Sequence, residues 1–179
     1  MSIAALRNAL PDYAEDLKQN LDRVTSETLL SDQQKWGCFL ACAFASGVPM
    51  VGRAIRAETD ARLTPEAKSA AKAAAAIMGM NVVYYGAINL LHNHDYRAAP
   101  VNLAMNALSS PTVDKIDFEL WAFAVSAMAN CASCLNSHEV ELHKRGVSLE
   151  RVQAALRIAA TMNAVGVVFR GEAAISASA

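Results

Sequence analysis

The chain carries almost no net charge and no cationic run. Its 16 Lys and Arg stand against 17 Asp and Glu, for a formal net charge of -1. Without a basic patch there is no electrostatic footprint for nucleic acid or for an anionic membrane surface. Residues 1–21 do not read as an export signal: they carry Asp12, Glu15 and Asp16 and have neither a basic leader nor an apolar stretch. The expected compartment is therefore the cytoplasm, where thiols stay reduced. β-branched alternation is scarce, which removes the pattern strands require. The longest uncharged run, residues 73–91, could span a bilayer by length, but Gly79, Asn81, Gly86 and Asn89 interrupt it. It is predicted to be a buried core helix, with no membrane as partner.

What remains is an alanine-rich, helix-forming chain. Its 179 residues with 54% hydrophobic content suffice for one self-sufficient core. The prediction is an all-α fold in a single domain, 1–179. Helices are expected over 2–21 (with a break at Pro11), 31–46, 49–61, 65–91, 101–107, 114–129, 131–145 and 148–171. The segment 92–99 reads as a loop, and fraying is expected over 176–179. Thr64-Pro65-Glu66 is a strong start signal, with Thr as N-cap and Pro at the first helical position. Asn130 is expected to cap the helix over 131–145, which Gly146 ends.

The two halves resemble each other. Trp36 and Trp121 are each set in an apolar helix; further on, Thr64, Glu66, Met78, Val83 and Tyr85 match Ser148, Glu150, Met162, Val167 and Phe169. This predicts an internal repeat, roughly 31–91 and 114–171. In that alignment Ser46 and Pro49 stand where the second copy has Cys131 and Cys134.

The chemistry concentrates in Asn130-Cys131-Ala132-Ser133-Cys134-Leu135-Asn136-Ser137-His138. A C-x-x-C pair can close an intramolecular disulfide, and a nearby imidazole can take a proton from a thiol. On one helix, His138 falls within roughly 20° of Cys131 and about 40° from Cys134, so all three share a stripe. One turn separates Cys134 from His138, close enough for direct contact or one bridging water. The helix N-terminus and the histidine would both favour thiolate. A carboxylate should orient the histidine. Glu119, a lone acid in an apolar segment, is the first candidate and Asp117 the second.

Two other readings of the pair stay open: half of a zinc site with Cys131, Cys134, His138 and Glu119 as ligands, or an inert structural pair. Elsewhere the bland readings are preferred. Cys38 and Cys42, at i and i+4 in an apolar helix, are small core residues. His92-Asn93-His94-Asp95 is a polar surface loop, and His143 with Glu139 a solvated pair. Residues 71–80 form a tight-packing helix surface suited to a subunit interface.

Glu119, then Cys131-Ala132-Ser133-Cys134, then His138 resemble the signature of the alkyl hydroperoxide reductase AhpD family, in the carboxymuconolactone decarboxylase-like superfamily. Ala9-Leu10-Pro11-Asp12-Tyr13-Ala14, Ala76-Ile77-Met78-Gly79-Met80-Asn81 and Phe118-Glu119-Leu120-Trp121 also look like family segments, so the resemblance covers the whole chain. It implies duplicated helical units assembled as a homotrimer. It implies an antioxidant enzyme that reduces organic hydroperoxides and the oxidised cysteines of a peroxiredoxin partner, AhpC. No bound cofactor is expected. The electron donor would be dihydrolipoamide, carried on a 2-oxo acid dehydrogenase component and recharged by lipoamide dehydrogenase. Carried over by residue, Cys134 attacks, Cys131 donates a proton and resolves, the two form the redox disulfide, His138 is the base, and Glu119 orients it. One position departs: a member of that family has a histidine between the cysteines where Ser133 stands here. If that histidine shuttles protons, the departure weakens direct peroxidase turnover more than disulfide reduction. The rival functions are a non-redox, decarboxylase-like enzyme on the same fold and a zinc-stabilised interaction module.

Overall fold

Ser31, Thr64 and Asp114 each open a long helix, and each does so with its side-chain oxygen. Ser31 accepts from the Gln34 N–H while Gln34 Oε1 accepts from the Ser31 N–H, a complete capping box. Thr64 accepts from the Ala67 N–H with Pro65 in the first turn. Asp114 accepts from the Ile116 N–H at 2.7 Å. These caps place the three helices that carry most of the core.

The computed structural model describes residues 1–176, and ten α-helices make up its regular structure with one 3₁₀ turn, Asp12–Ala14. In chain order they are α1 (Ile3–Asn8), α2 (Glu15–Thr25), α3 (Asp32–Ser46), α4 (Pro49–Thr59), α5 (Pro65–Leu90), α6 (Asp95–Ala98), α7 (Asn106–Ser109), α8 (Lys115–Met128), α9 (Ala132–Lys144) and α10 (Leu149–Ser176). The fold is all-α, as the sequence predicts. Pro11 does break the first helical stretch, and Gly47 closes α3 at a φ of +66° that a side chain would resist.

Four helices enclose the core. α3 packs against α5, α8 and α10, and α8 packs against α5, α9 and α10. α8 is buried without interruption from Asp117 to Ser126. At its centre Trp121 is fully buried and donates its indole N–H to the Gln34 carbonyl of α3 at 3.1 Å. A buried tryptophan brings the largest apolar area of any side chain, and its N–H needs a partner there. The thiols of Cys38 and Cys42 are buried in the same core, and burial pushes Cys42 up to about 12 and Cys38 well above the ordinary thiol value. They are packing residues, unsuited to thiolate chemistry.

Several details differ from the sequence reading. Residues 101–105 are irregular and the helix there is one turn further on, at α7; Asn102 takes a positive φ of 49° that a helix would not permit. One turn, α6, interrupts the loop predicted over 92–99, with His92, His94 and Asp95 exposed around it. α10 runs past Gly171 to Ser176; residues 177–179, where fraying is expected, lie outside the described residues. Over residues 71–80 of α5, Ala71, Ala74, Ala75 and Met78 are buried within the chain itself, while Ala76 and Gly79 are exposed. The buried part of α5 ends at Asn81, and beyond it Val83 and Leu90 are exposed, so residues 73–91 are only half a core helix. By length and apolarity alone α5 and α10 could cross a membrane, yet both pack into this core.

Candidate active site

A sharp turn between α8 and α9 builds the site. Asn130 does not cap α9; it sits in the turn at a φ of +53°, a conformation asparagine tolerates better than most residues. The cap is Cys131 itself, whose sulfur accepts from the Cys134 N–H at 3.3 Å. Cys131 therefore lies just outside the helix and Cys134 in its first turn. The structure joins them as a disulfide with Cα atoms 5.3 Å apart. Both sulfurs belong to the positive end of α9, where the helix dipole favours a thiolate.

The same turn folds α9 back along α8, which brings His138 to Glu119 across nineteen positions of sequence. His138 Nδ1 lies 2.5 Å from Glu119 Oε2, and both side chains are buried, at 5% and 3% exposure. A carboxylate only accepts, so Nδ1 carries the proton and donates. The other carboxylate oxygen receives Lys115 Nζ at 2.9 Å, one turn earlier on α8. Burial alone would raise the Glu119 pKa; hydrogen bonds and charge from His138 and Lys115 outweigh it and hold the carboxyl below the usual glutamate value. Lys115 Nζ also meets the Leu108 carbonyl, fastening α7 over this end of α8.

His138 Nε2 is the nitrogen left to exchange protons. In this disulfide form it points at the Met78 sulfur, 3.1 Å away, rather than at a cysteine. Met78 in turn receives Ser126 Oγ at 3.3 Å. Cys134, Ser133, Ser137 and His138 line one wall of a cleft of about 170 Å³; Met78, Asn81 and Tyr85 of α5 face them, and Met105 and Leu108 close the end. Ser133 Oγ is 3.5 Å from the Cys131 sulfur.

The second orienting candidate, Asp117, lies elsewhere. It accepts from Gln33 and Gln34 at 2.6 and 2.9 Å and so ties α8 to α3. Its position two residues before Glu119 turns it about 200° around the helix, away from α9. Among the described residues no cluster of three or more His, Cys, Asp or Glu has the arrangement of a metal site.

Residues 94–177, which contain Glu119, both cysteines and His138, match the carboxymuconolactone decarboxylase family model. Alkyl hydroperoxide reductase AhpD of Maricaulis maris is 55% identical over 172 residues, covering 96% of this chain and 99% of that protein. Proteins of the same name from Hyphomonas neptunium and Streptomyces coelicolor are each 50% identical over 177 residues, 99% of this chain and 98–99% of theirs. The chain belongs to the AhpD family.

Sequence reading of this AhpD-family chain missed half of the cleft. Lys115 had a signal, since Lys115 and Glu119 are one helical turn apart. Met78, Asn81 and Tyr85 share a helix face at spacings of three and four, but nothing local shows that α5 packs that face onto α9.

Proposed function

We propose that this protein reduces alkyl hydroperoxides with the Cys131–Cys134 dithiol. The observation that carries the reading is the pair at the start of α9, its Cys134 lining a cleft, with a Lys115–Glu119–His138 chain whose Glu119 and His138 are buried. The names of the relatives support it.

Reduced Cys134 loses its proton to His138 Nε2, and Glu119 stabilises the imidazolium that forms. The thiolate attacks the terminal peroxide oxygen, the O–O bond breaks, and the alkoxide leaves as the alcohol after taking a proton. Cys134 is now a sulfenic acid. Cys131 sulfur attacks it, water departs, and the disulfide seen here is formed. Two electrons and two protons from a dithiol donor restore the thiols by exchange through a mixed disulfide. Dihydrolipoamide, borne on a 2-oxo acid dehydrogenase component and recharged by lipoamide dehydrogenase, is the donor we propose. The same exchange run on a partner would reduce the disulfide of the peroxiredoxin AhpC. We further propose a cytoplasmic homotrimer.

For His138 to act on Cys134 its Nε2 must leave Met78. Cys134 and His138 stand one turn apart on α9, close enough for direct contact or one bridging water.

The test is NADH consumption with lipoamide dehydrogenase, lipoamide and cumene hydroperoxide. Turnover that disappears in Cys134→Ser supports the assignment. Turnover only after AhpC is added makes the protein an electron adaptor. A fully active Cys134→Ser protein sinks the reading, and no turnover with or without AhpC would favour a non-redox enzyme.

A further inference from the structure

Asn81 has a buried amide oxygen without a partner. It is 4% exposed, in the middle of α5, and its Oδ1 alone among buried side-chain nitrogens and oxygens of the described residues has no hydrogen-bond partner. Buried polar groups are otherwise paired, because an unmade bond forfeits the hydration it had in the unfolded chain. Packing does not explain the residue: an alanine or leucine would fill this apolar helix face without an orphaned oxygen. Asn81 is one of the residues that line the cleft with Cys134 and His138.

We propose that Asn81 positions the hydroperoxide, its Oδ1 accepting the terminal O–H. A carbonyl oxygen only accepts, so its missing partner must donate. An alkyl hydroperoxide has one donor, the O–H on the oxygen that the thiolate attacks. Holding that proton fixes the attacked oxygen, while Met78, Tyr85, Met105 and Leu108 receive the alkyl part. The chemistry conserves the contact. The S–O bond forms and the O–O bond breaks, the O–H hydrogen stays on the transferred oxygen, and the alkoxide takes its proton from the imidazolium. Cys134 sulfenic acid then presents the same O–H to Asn81. This inference rests on the hydroperoxide reading above and names a positioning residue for it.

The experiment compares two reactions of the reduced protein at the same thiol. Oxidation by cumene hydroperoxide needs the O–H to be held; alkylation by iodoacetamide needs only the thiolate. Asn81→Leu is expected to slow oxidation about tenfold, the loss of one hydrogen bond, and to leave alkylation within about twofold. Asn81→Ala removes the amide without adding bulk and carries the same expectation should leucine fail to pack. Equal slowing of both reactions, or no slowing of oxidation, overturns the inference while the hydroperoxide reading stands. A wild-type protein that is alkylated at Cys134 yet not oxidised by hydroperoxide overturns both.

Discussion

The indole of Trp121 fills the space where residue 37 would have a side chain. A Cβ built on Gly37 would fall 2.1 Å from Trp121 Cε2 and 2.2 Å from Nε1. Gly37 is in mid-helix, where glycine is unfavourable by about 1 kcal/mol against alanine. Here the close approach of α3 and α8 requires it. Gly37→Ala is therefore expected to destabilise the fold by roughly 2–3 kcal/mol or more, since Trp121 is anchored by its bond to Gln34 and cannot move aside freely. Denaturant unfolding measures this. An unchanged midpoint would mean that the two helices separate without loss.

That relationship also marks how far the sequence could be read. Caps, breaks and the C-x-x-C-x-x-x-H spacing are local, and Ser31, Thr64, Pro65 and Gly47 act where the sequence puts them. Glu119 could be singled out because an acid in an apolar helix needs a partner. Asp117 satisfied the same criterion, and only the tertiary contact with Gln33 and Gln34 separates the two. Cys131 took the cap from Asn130 because the turn needs a residue at positive φ, and asparagine supplies it. The α5 wall of the cleft depends on helix-to-helix packing, which no sequence spacing encodes.

Glu119 links the site to stability in acid. Its folded-state pKa lies below the ordinary 4.5. Above 4.5 both folded and unfolded chains hold it ionised, and its contribution is fully present. As pH falls from 4.5 through the lower folded value, the unfolded chain binds the proton more readily and that contribution is lost. Glu119→Gln should reduce stability at pH 7 by about 1–3 kcal/mol, through weakened bonds to His138 and Lys115. It should also flatten the fall in stability below pH 4.5. Equal acid slopes for the two proteins would show that Glu119 does not couple to folding.

Lys115 acts on the same carboxyl from its other oxygen. Removing its charge with Lys115→Met takes away one of the two groups that hold Glu119 down, so the Glu119 pKa must rise. If the ionised carboxylate is the form that supports His138, the acid limb of kcat/KM for hydroperoxide should move to higher pH. Activity on the alkaline side should change far less. A pH–rate profile of both proteins decides it; an unmoved acid limb would mean that another group controls that limb.

Ser133 offers the last test, because it stands between the two cysteines. Its hydroxyl is 3.5 Å from the Cys131 sulfur and lines the cleft, so a larger side chain there would reach the reacting atoms. Serine at its ordinary pKa is a poor proton donor near neutrality, whereas imidazole titrates in that range. If proton delivery to the leaving alkoxide limits direct turnover, Ser133→His should raise kcat for hydroperoxide by roughly tenfold, at the low end for general acid catalysis. Disulfide exchange with dihydrolipoamide, where the leaving group is itself a good thiolate, should change little. Unchanged peroxide turnover in Ser133→His would mean that proton delivery to the alkoxide does not limit it.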